Sequence, residues 1–232
     1  MNKLEFPYKL DPDGPRGISI DSWLDEKKLG LVLVDIQNFC TVERYAEVWN
    51  KNDNGYFLKR YKETVLPNIL KLLNRFRELR LKIIYTRIGS FNKNFLDIPG
   101  IPRKVLSLDL KDINGKLYQL QASDFESQIS KEVAPKEGDI VIVKTSSGVF
   151  GSSDIDNILK SNGISSLVIT GGITDACVSS TVRGAYDRGY LCTVIEDACI
   201  GDIEKDHLYA IRLLDKHYAW VTDTNTVLGV LR

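Results

Sequence analysis

The chain has 232 residues, 43% hydrophobic and 27% charged, a balance that supports a soluble globular fold whose core needs no disulfide or metal staple. Lys plus Arg equals Asp plus Glu at 31 each, so no overall field recruits nucleic acid or an anionic membrane, and a small, locally recognised ligand is expected. The N-terminus lacks the apolar core of a signal peptide, no run approaches the roughly 20 residues of a membrane span, and Cys40, Cys177, Cys192 and Cys199 show no CxxC spacing; reduced thiols in a cytoplasmic protein are the expectation.

Residues 1–28 are polar and rich in Pro, Gly and Asp, and read as an extended lead-in with little structure of its own. Leu29 to Val34 is a continuous apolar run ending on Asp35, the pattern of a strand buried on both faces. Residues 40–58 have a loop-like composition with interleaved aromatics, including Trp49, Tyr56 and Phe57. They read either as a segment covering a substrate or as aromatics closing the core or a subunit interface. Val65, Ile69, Leu72, Leu73, Phe76 and Leu79 recur at helical spacing, and Pro67 suggests a helix beginning near it. Leu81 to Thr86 is the next strand.

Residues 87–136 are the least periodic part of the chain, which points to a functional or interface loop with short elements of its own. Order returns with a strand over 139–144, a helix over 154–160, strands over 164–170 and 190–197, a helix over 203–216 and a short strand over 218–222. Such alternation predicts an α/β fold: one domain over residues 29–232 behind the lead-in, a three-layer αβα sandwich with a mainly parallel sheet.

In a parallel sheet the strand C-termini share one edge, where ligands of open α/β sheets bind. Asp35 and Lys144 end strands, and Cys177 follows Gly171-Gly172 at the start of a helical segment. A carboxylate can take a thiol proton, an ammonium favours the thiolate, and N–H groups at a helix start can hold an oxyanion. Each residue also has a plain reading: Asp35 as a turn residue, Lys144 as a solvated lysine, Cys177 as inert core like Cys192 and Cys199. Their coincidence favours chemistry.

Asp35-Ile-Gln-Asn, Val143-Lys144 and Thr170-Gly-Gly-Ile-Thr-Asp-Ala-Cys177-Val resemble, in order, the motifs of the isochorismatase-like cysteine hydrolases. That superfamily includes nicotinamidase, N-carbamoylsarcosine amidohydrolase, biuret hydrolase and ureidoacrylate amidohydrolase. The resemblance covers about residues 28–225 and implies the isochorismatase-like fold. It implies Cys177 as nucleophile, Asp35 as general base and Lys144 as the cation tuning both. An oxyanion hole from the backbone N–H groups of Ile173 and Cys177, and a cis peptide between Gly172 and Ile173, are implied with them. The substrate expected is a small amide or ureide cleaved at a C–N bond through a thioester, in a homo-oligomer, dimer or tetramer.

Departures from the pattern matter. Phe39 stands where members carry a second acid, and Gly148-Val-Phe150 where Ser-Ala-Phe or Ser-Gly-Phe is usual. The metal-binding histidines of the nicotinamidase branch have no counterpart, since His207 and His217 lie far downstream; no metal and no cofactor are expected, and His207 reads as structural. Phe39, Trp49, Tyr56 and Phe150 are candidate pocket walls, and Gln37 or Asn38 candidate partners for an amide, though each also reads as packing or turn chemistry. Two further readings stand beside the ureide hydrolase: a relative acting on another small substrate, nicotinamide-like or a vinyl ether, and a non-catalytic binding or redox-sensing member with Cys177 as a reactive thiol.

Overall fold

The computed structural model describes residues 23–49, 55–100 and 110–232, except the side chains of 47–49. Among the described residues six strands form one sheet in the order β5-β2-β1-β6-β7-β8. These are β1 (Leu29–Val34), β2 (Lys82–Ile88), β5 (Ile140–Lys144), β6 (Ser166–Gly172), β7 (Leu191–Ile200) and β8 (Trp220–Thr222). Each neighbouring pair is parallel. The intervening β3 (Leu110–Lys111) and β4 (Leu117–Tyr118) make a separate antiparallel ribbon within the weakly periodic region. That region holds short elements of its own, as its composition predicts.

The period-two geometry of β1 splits the core into two layers. Leu31 and Leu33 pack with Ile69, Leu72, Leu73 and Phe76 of helix α4 (Leu66–Glu78) and with Val227 of α8 (Thr224–Val230). Val32 and Val34 point the other way, to Leu159 of α5 (Ile155–Ser161), Val182 of α6 (Ser179–Tyr186) and Leu214 of α7 (Glu204–His217). The result is the expected three-layer αβα sandwich. No described helix is long and apolar enough to cross a membrane.

Several expectations are corrected. The end of the lead-in is not structureless: Leu24 is in the core, and Trp23 donates Nε1–H to the Cys192 carbonyl and meets Trp220 edge-on. Residues 1–22 lie outside the described residues. Much of the loop-like stretch 40–58 is helical, in α1 (Asn38–Thr41), α2 (Glu43–Trp49) and α3 (Tyr56–Arg60), with 50–54 outside the described residues.

The α-helix α4 does begin beside Pro67, at Leu66, but helical backbone precedes it. Helical backbone runs on from α3 through a π turn, Tyr61–Val65, directly into α4. There the Leu66 N–H reaches the Tyr61 carbonyl, and this wider turn relieves the helix just before a ring that can neither donate nor tolerate a normal preceding turn. The terminal helix α8 was not expected from periodicity, although Asp223, which accepts the Thr226 N–H, is a legible N-cap.

Candidate active site

The sheet winds outward in two directions from its middle: β1, β2 and β5 one way, β6, β7 and β8 the other. The switch therefore falls between β1 and β6, where open α/β sheets carry their ligand crevice beyond the strand C-termini. Asp35 leaves β1 at that point and Cys177 follows β6. The two strands approach closely there. Gly171 has φ of 109°, and a Cβ on it would stand 2.1 Å from the Val34 carbonyl oxygen, so only glycine fits.

Asp35 has φ of 49°, a left-handed conformation that aspartate tolerates better than most residues. Its N–H stays bonded to the Thr86 carbonyl at 3.1 Å while its Oδ1 accepts the Thr86 hydroxyl at 2.8 Å. Lys144, fully buried at the end of β5, brings Nζ to 2.7 Å from Asp35 Oδ2 and donates to the Ser146 carbonyl at 2.9 Å. The same Nζ lies 3.4 Å from Cys177 Sγ. Asp35 Oδ2 is close to the ammonium yet accepts no well-directed hydrogen bond. Asp35 thus faces both the ammonium and the thiol.

The Gly172–Ile173 peptide is cis, and the backbone then enters a π turn, Thr174–Val178, that continues into α6. Cys177 sits in this turn, half-buried. Its thiol is pushed up to about 12, by burial first and then by Asp35, against the pull of Lys144. Desolvation and the adjacent carboxylate outweigh the ammonium. Burial alone would lower Lys144, but the adjacent Asp35, foremost among its neighbours, outweighs it and the net shift is upward. The resting arrangement is a neutral thiol beside a carboxylate–ammonium pair.

Other candidates are placed elsewhere. Gln37 is fully buried and engaged with backbone, its Nε2 donating to the Ile88 and Ser127 carbonyls and its Oε1 accepting the Ile88 N–H. Asn38 donates to the Phe125 carbonyl and lines an open recess of about 610 Å³ to which Asp35, Lys144 and Cys177 do not contribute. Phe39 packs between two core clusters. Phe150 is core as well, stacked near Tyr190 and seated on Gly184, where a Cβ would be 3.0 Å away. Trp49's side chain lies outside the described residues.

Tyr56 stands apart. Its Oη is buried without a hydrogen-bond partner, its pKa is pushed up to about 12 mainly by burial, and the charges it feels are Arg60, Glu204 and Glu196. Cys192 and Cys199 are core thiols, as expected, and Cys40 is buried too. Among the described residues no group of three or more His, Cys, Asp and Glu is arranged to hold a metal.

Sequence reasoning missed Thr86 and the Ser146 carbonyl, which orient the acid and the cation. Thr86 carried the same signal as Asp35, a polar residue closing an apolar strand. It also missed a half-buried cluster on the β7 side: Arg60 pairs with Glu196 at 2.7 Å, and His207 joins both Glu196 and Thr174.

Comparison with known proteins extends these observations. The isochorismatase domain model matches residues 30–226. The ureidoacrylate amidohydrolase RutB of Agrobacterium fabrum is 29% identical over 221 residues, covering 90% of this chain and 92% of that protein. RutB of Acinetobacter baylyi is 27% identical over 219 residues, covering 90% and 86%. Among solved structures, a cysteine hydrolase from Pseudomonas syringae superposes with a TM-score of 0.72 at 19% identity, covering 89% of this chain and 93% of its own. N-carbamoylsarcosine amidase from Thermoplasma acidophilum gives a TM-score of 0.64 at 23% identity, covering 85% and 97%.

Proposed function

The chain belongs to the isochorismatase family of hydrolases, and from that premise we propose that it is a cysteine-dependent amidohydrolase acting on a small ureido or carbamoyl substrate. The observation that carries this reading is the Lys144 ammonium lying between Asp35 Oδ2 and Cys177 Sγ, with Oδ2 accepting no directed hydrogen bond. Similarity to proteins named ureidoacrylate amidohydrolase supports the substrate class.

In this mechanism the Cys177 thiol proton passes to Asp35 as Sγ attacks the amide carbonyl carbon. Lys144 stays protonated and stabilises the thiolate as it forms. The backbone N–H groups of Ile173 and Cys177 hold the oxyanion. Collapse breaks the C–N bond, the proton on Asp35 leaves with the amine, and a thioester remains on Cys177. Asp35 then takes a proton from water, whose attack releases the acid and restores the thiol. A thiol held at about 12 until substrate arrives suits such coupled transfer better than redox sensing, which needs a standing thiolate.

The reading includes residues 29–232 as the single catalytic unit and a homo-oligomer in the cytoplasm. Its test is ammonia release across ureides, carbamoyl amino acids and aromatic amides, with mass spectrometry during turnover. An acyl adduct on Cys177 and complete loss of release in Cys177→Ala are expected; undiminished turnover in that variant would refute the mechanism.

A further inference from the structure

Four separate elements converge on one buried imidazole behind the turn that carries Cys177. His207, fully buried on α7, has Nδ1 2.8 Å from Thr174 Oγ1 and Nε2 2.9 Å from Glu196 Oε1. Arg60 closes the cluster, with Nη2 2.7 Å from Glu196 Oε1 and 3.0 Å from His207 Nε2. Its Nε also donates to the Cys199 carbonyl at 3.2 Å, and Cys199 pairs with Gly171 across β6 and β7. The guanidinium therefore grips β7 where β7 abuts the two glycines before Ile173.

The approach of α7 is built in. A Cβ on Gly201 would stand 2.9 Å from His207 Cβ, so the glycine lets the helix seat against the loop. Thr174 is equally buried, and its carbonyl accepts the Ser179 hydroxyl at 2.6 Å. The Ile173 carbonyl accepts both the Ala176 and Val178 N–H groups at 3.1 Å. Both ring nitrogens of His207 are engaged whichever carries the proton, because the Thr174 hydroxyl can donate or accept. Burial pushes the ring's pKa below its ordinary value and Arg60 adds to this, against Glu196 and Asp175. The ring is a neutral strut between an ion pair and the turn.

We propose that His207, anchored by Glu196 and Arg60, is a positioning residue for acyl transfer: through Thr174 it fixes the Ile173–Cys177 turn, holding Sγ within reach of Lys144 and Asp35. The kinetic consequence rests on the hydrolase reading above, whereas the placement of the thiol rests on geometry alone. A small loosening of a nucleophile is costly, since misplacement of about 1 Å can lower a rate on the order of 100-fold.

The test compares Thr174→Val, which keeps shape and removes the hydroxyl, with Thr174→Ser, which restores it. Thr174→Val should lower kcat on the order of 10- to 100-fold with KM within about threefold, and Thr174→Ser should stay within about threefold of the parent protein. Carboxamidomethylation of Cys177 by iodoacetamide, followed by peptide mass spectrometry, should slow about fivefold or more in the valine variant and not in the serine variant. Unchanged kcat and alkylation in Thr174→Val, or equal impairment in both variants, would overturn the proposal. If the unaltered protein hydrolyses none of the amides, the hydrolase reading fails while alkylation still decides the positioning role. Should Thr174→Val not fold, Glu196→Ala removes the hydrogen-bonding anchor of the ring, with the same losses expected and unchanged alkylation overturning the proposal.

Discussion

Two charge clusters, one buried and one half-buried, flank the Cys177 turn, and they differ in their hydrogen bonding. On the β7 side, Arg60, Glu196, His207 and Thr174 use one another and nearby carbonyls. On the β1 and β5 side, Lys144 must serve Asp35, Cys177 and a carbonyl together, and Asp35 Oδ2 accepts no directed hydrogen bond. A saturated cluster holds a shape; an unsaturated one keeps a place for a proton to move.

The comparison breaks most sharply in activity. Asp35→Asn should lower kcat about 1,000-fold or more, at the upper part of the range for losing a general base. Glu196→Gln should retain measurable turnover in the same ammonia-release assay. Equal losses would erase the distinction between the clusters.

Stability sharpens it next. Lys144→Met leaves Asp35, only 5% exposed, as an uncompensated buried carboxylate, and should cost about 3–5 kcal/mol in urea unfolding. Arg60→Met uncovers a pair whose side chains are 19% and 32% exposed, so about 1–2 kcal/mol is expected after solvent screening. A larger loss for Arg60→Met would contradict the ranking.

The smallest effect is in pH dependence. Glu196 is brought from 4.5 down to about 2: burial opposes its ionisation, but the His207 hydrogen bond and the Arg60 charge prevail. Its stabilisation is present above pH 4.5 and lost as pH falls toward 2. His207, lowered from 6.5, adds a loss below 6.5, where the unfolded chain binds the proton that the folded ring refuses. Cys177 acts in reverse, because the folded thiol, raised from 9.0 to about 12, keeps a proton that the unfolded chain sheds above 9.0. Urea melts across pH should show Glu196→Gln flattening the acid limb and Cys177→Ala easing the alkaline one, which the buried Cys40, Cys192 and Cys199 thiols share. The opposite assignment would mean that the clusters do not titrate as their surroundings require.

The reactive cluster was the more legible of the two. Asp35 and Lys144 end apolar strands, and Cys177 follows two glycines, so period and topology bring them to one edge without knowledge of side-chain contacts. The pocket-wall candidates carried no signal of that kind. Gln37 is consumed by backbone groups 51 and 90 residues away, and Phe150 is drawn into the core by Gly184. His207 read as structural because its partners lie on three other elements, and no local pattern announces them. Helix continuity across Pro67 was likewise invisible, since composition marks a proline but not the π turn that accommodates it.

The switch between the halves of the sheet has a further consequence for how the protein can be lost. Asp35 and Lys144 belong to residues 29–144 and Cys177 to the turn that follows β6, so the proposed base and the proposed nucleophile come from different halves. On the proposed mechanism, reactivity is a property of the seam. A slight parting of β1 from β6, well short of unfolding either half, should silence the thiol, and inactivation under mild denaturant should read out the closure of that joint.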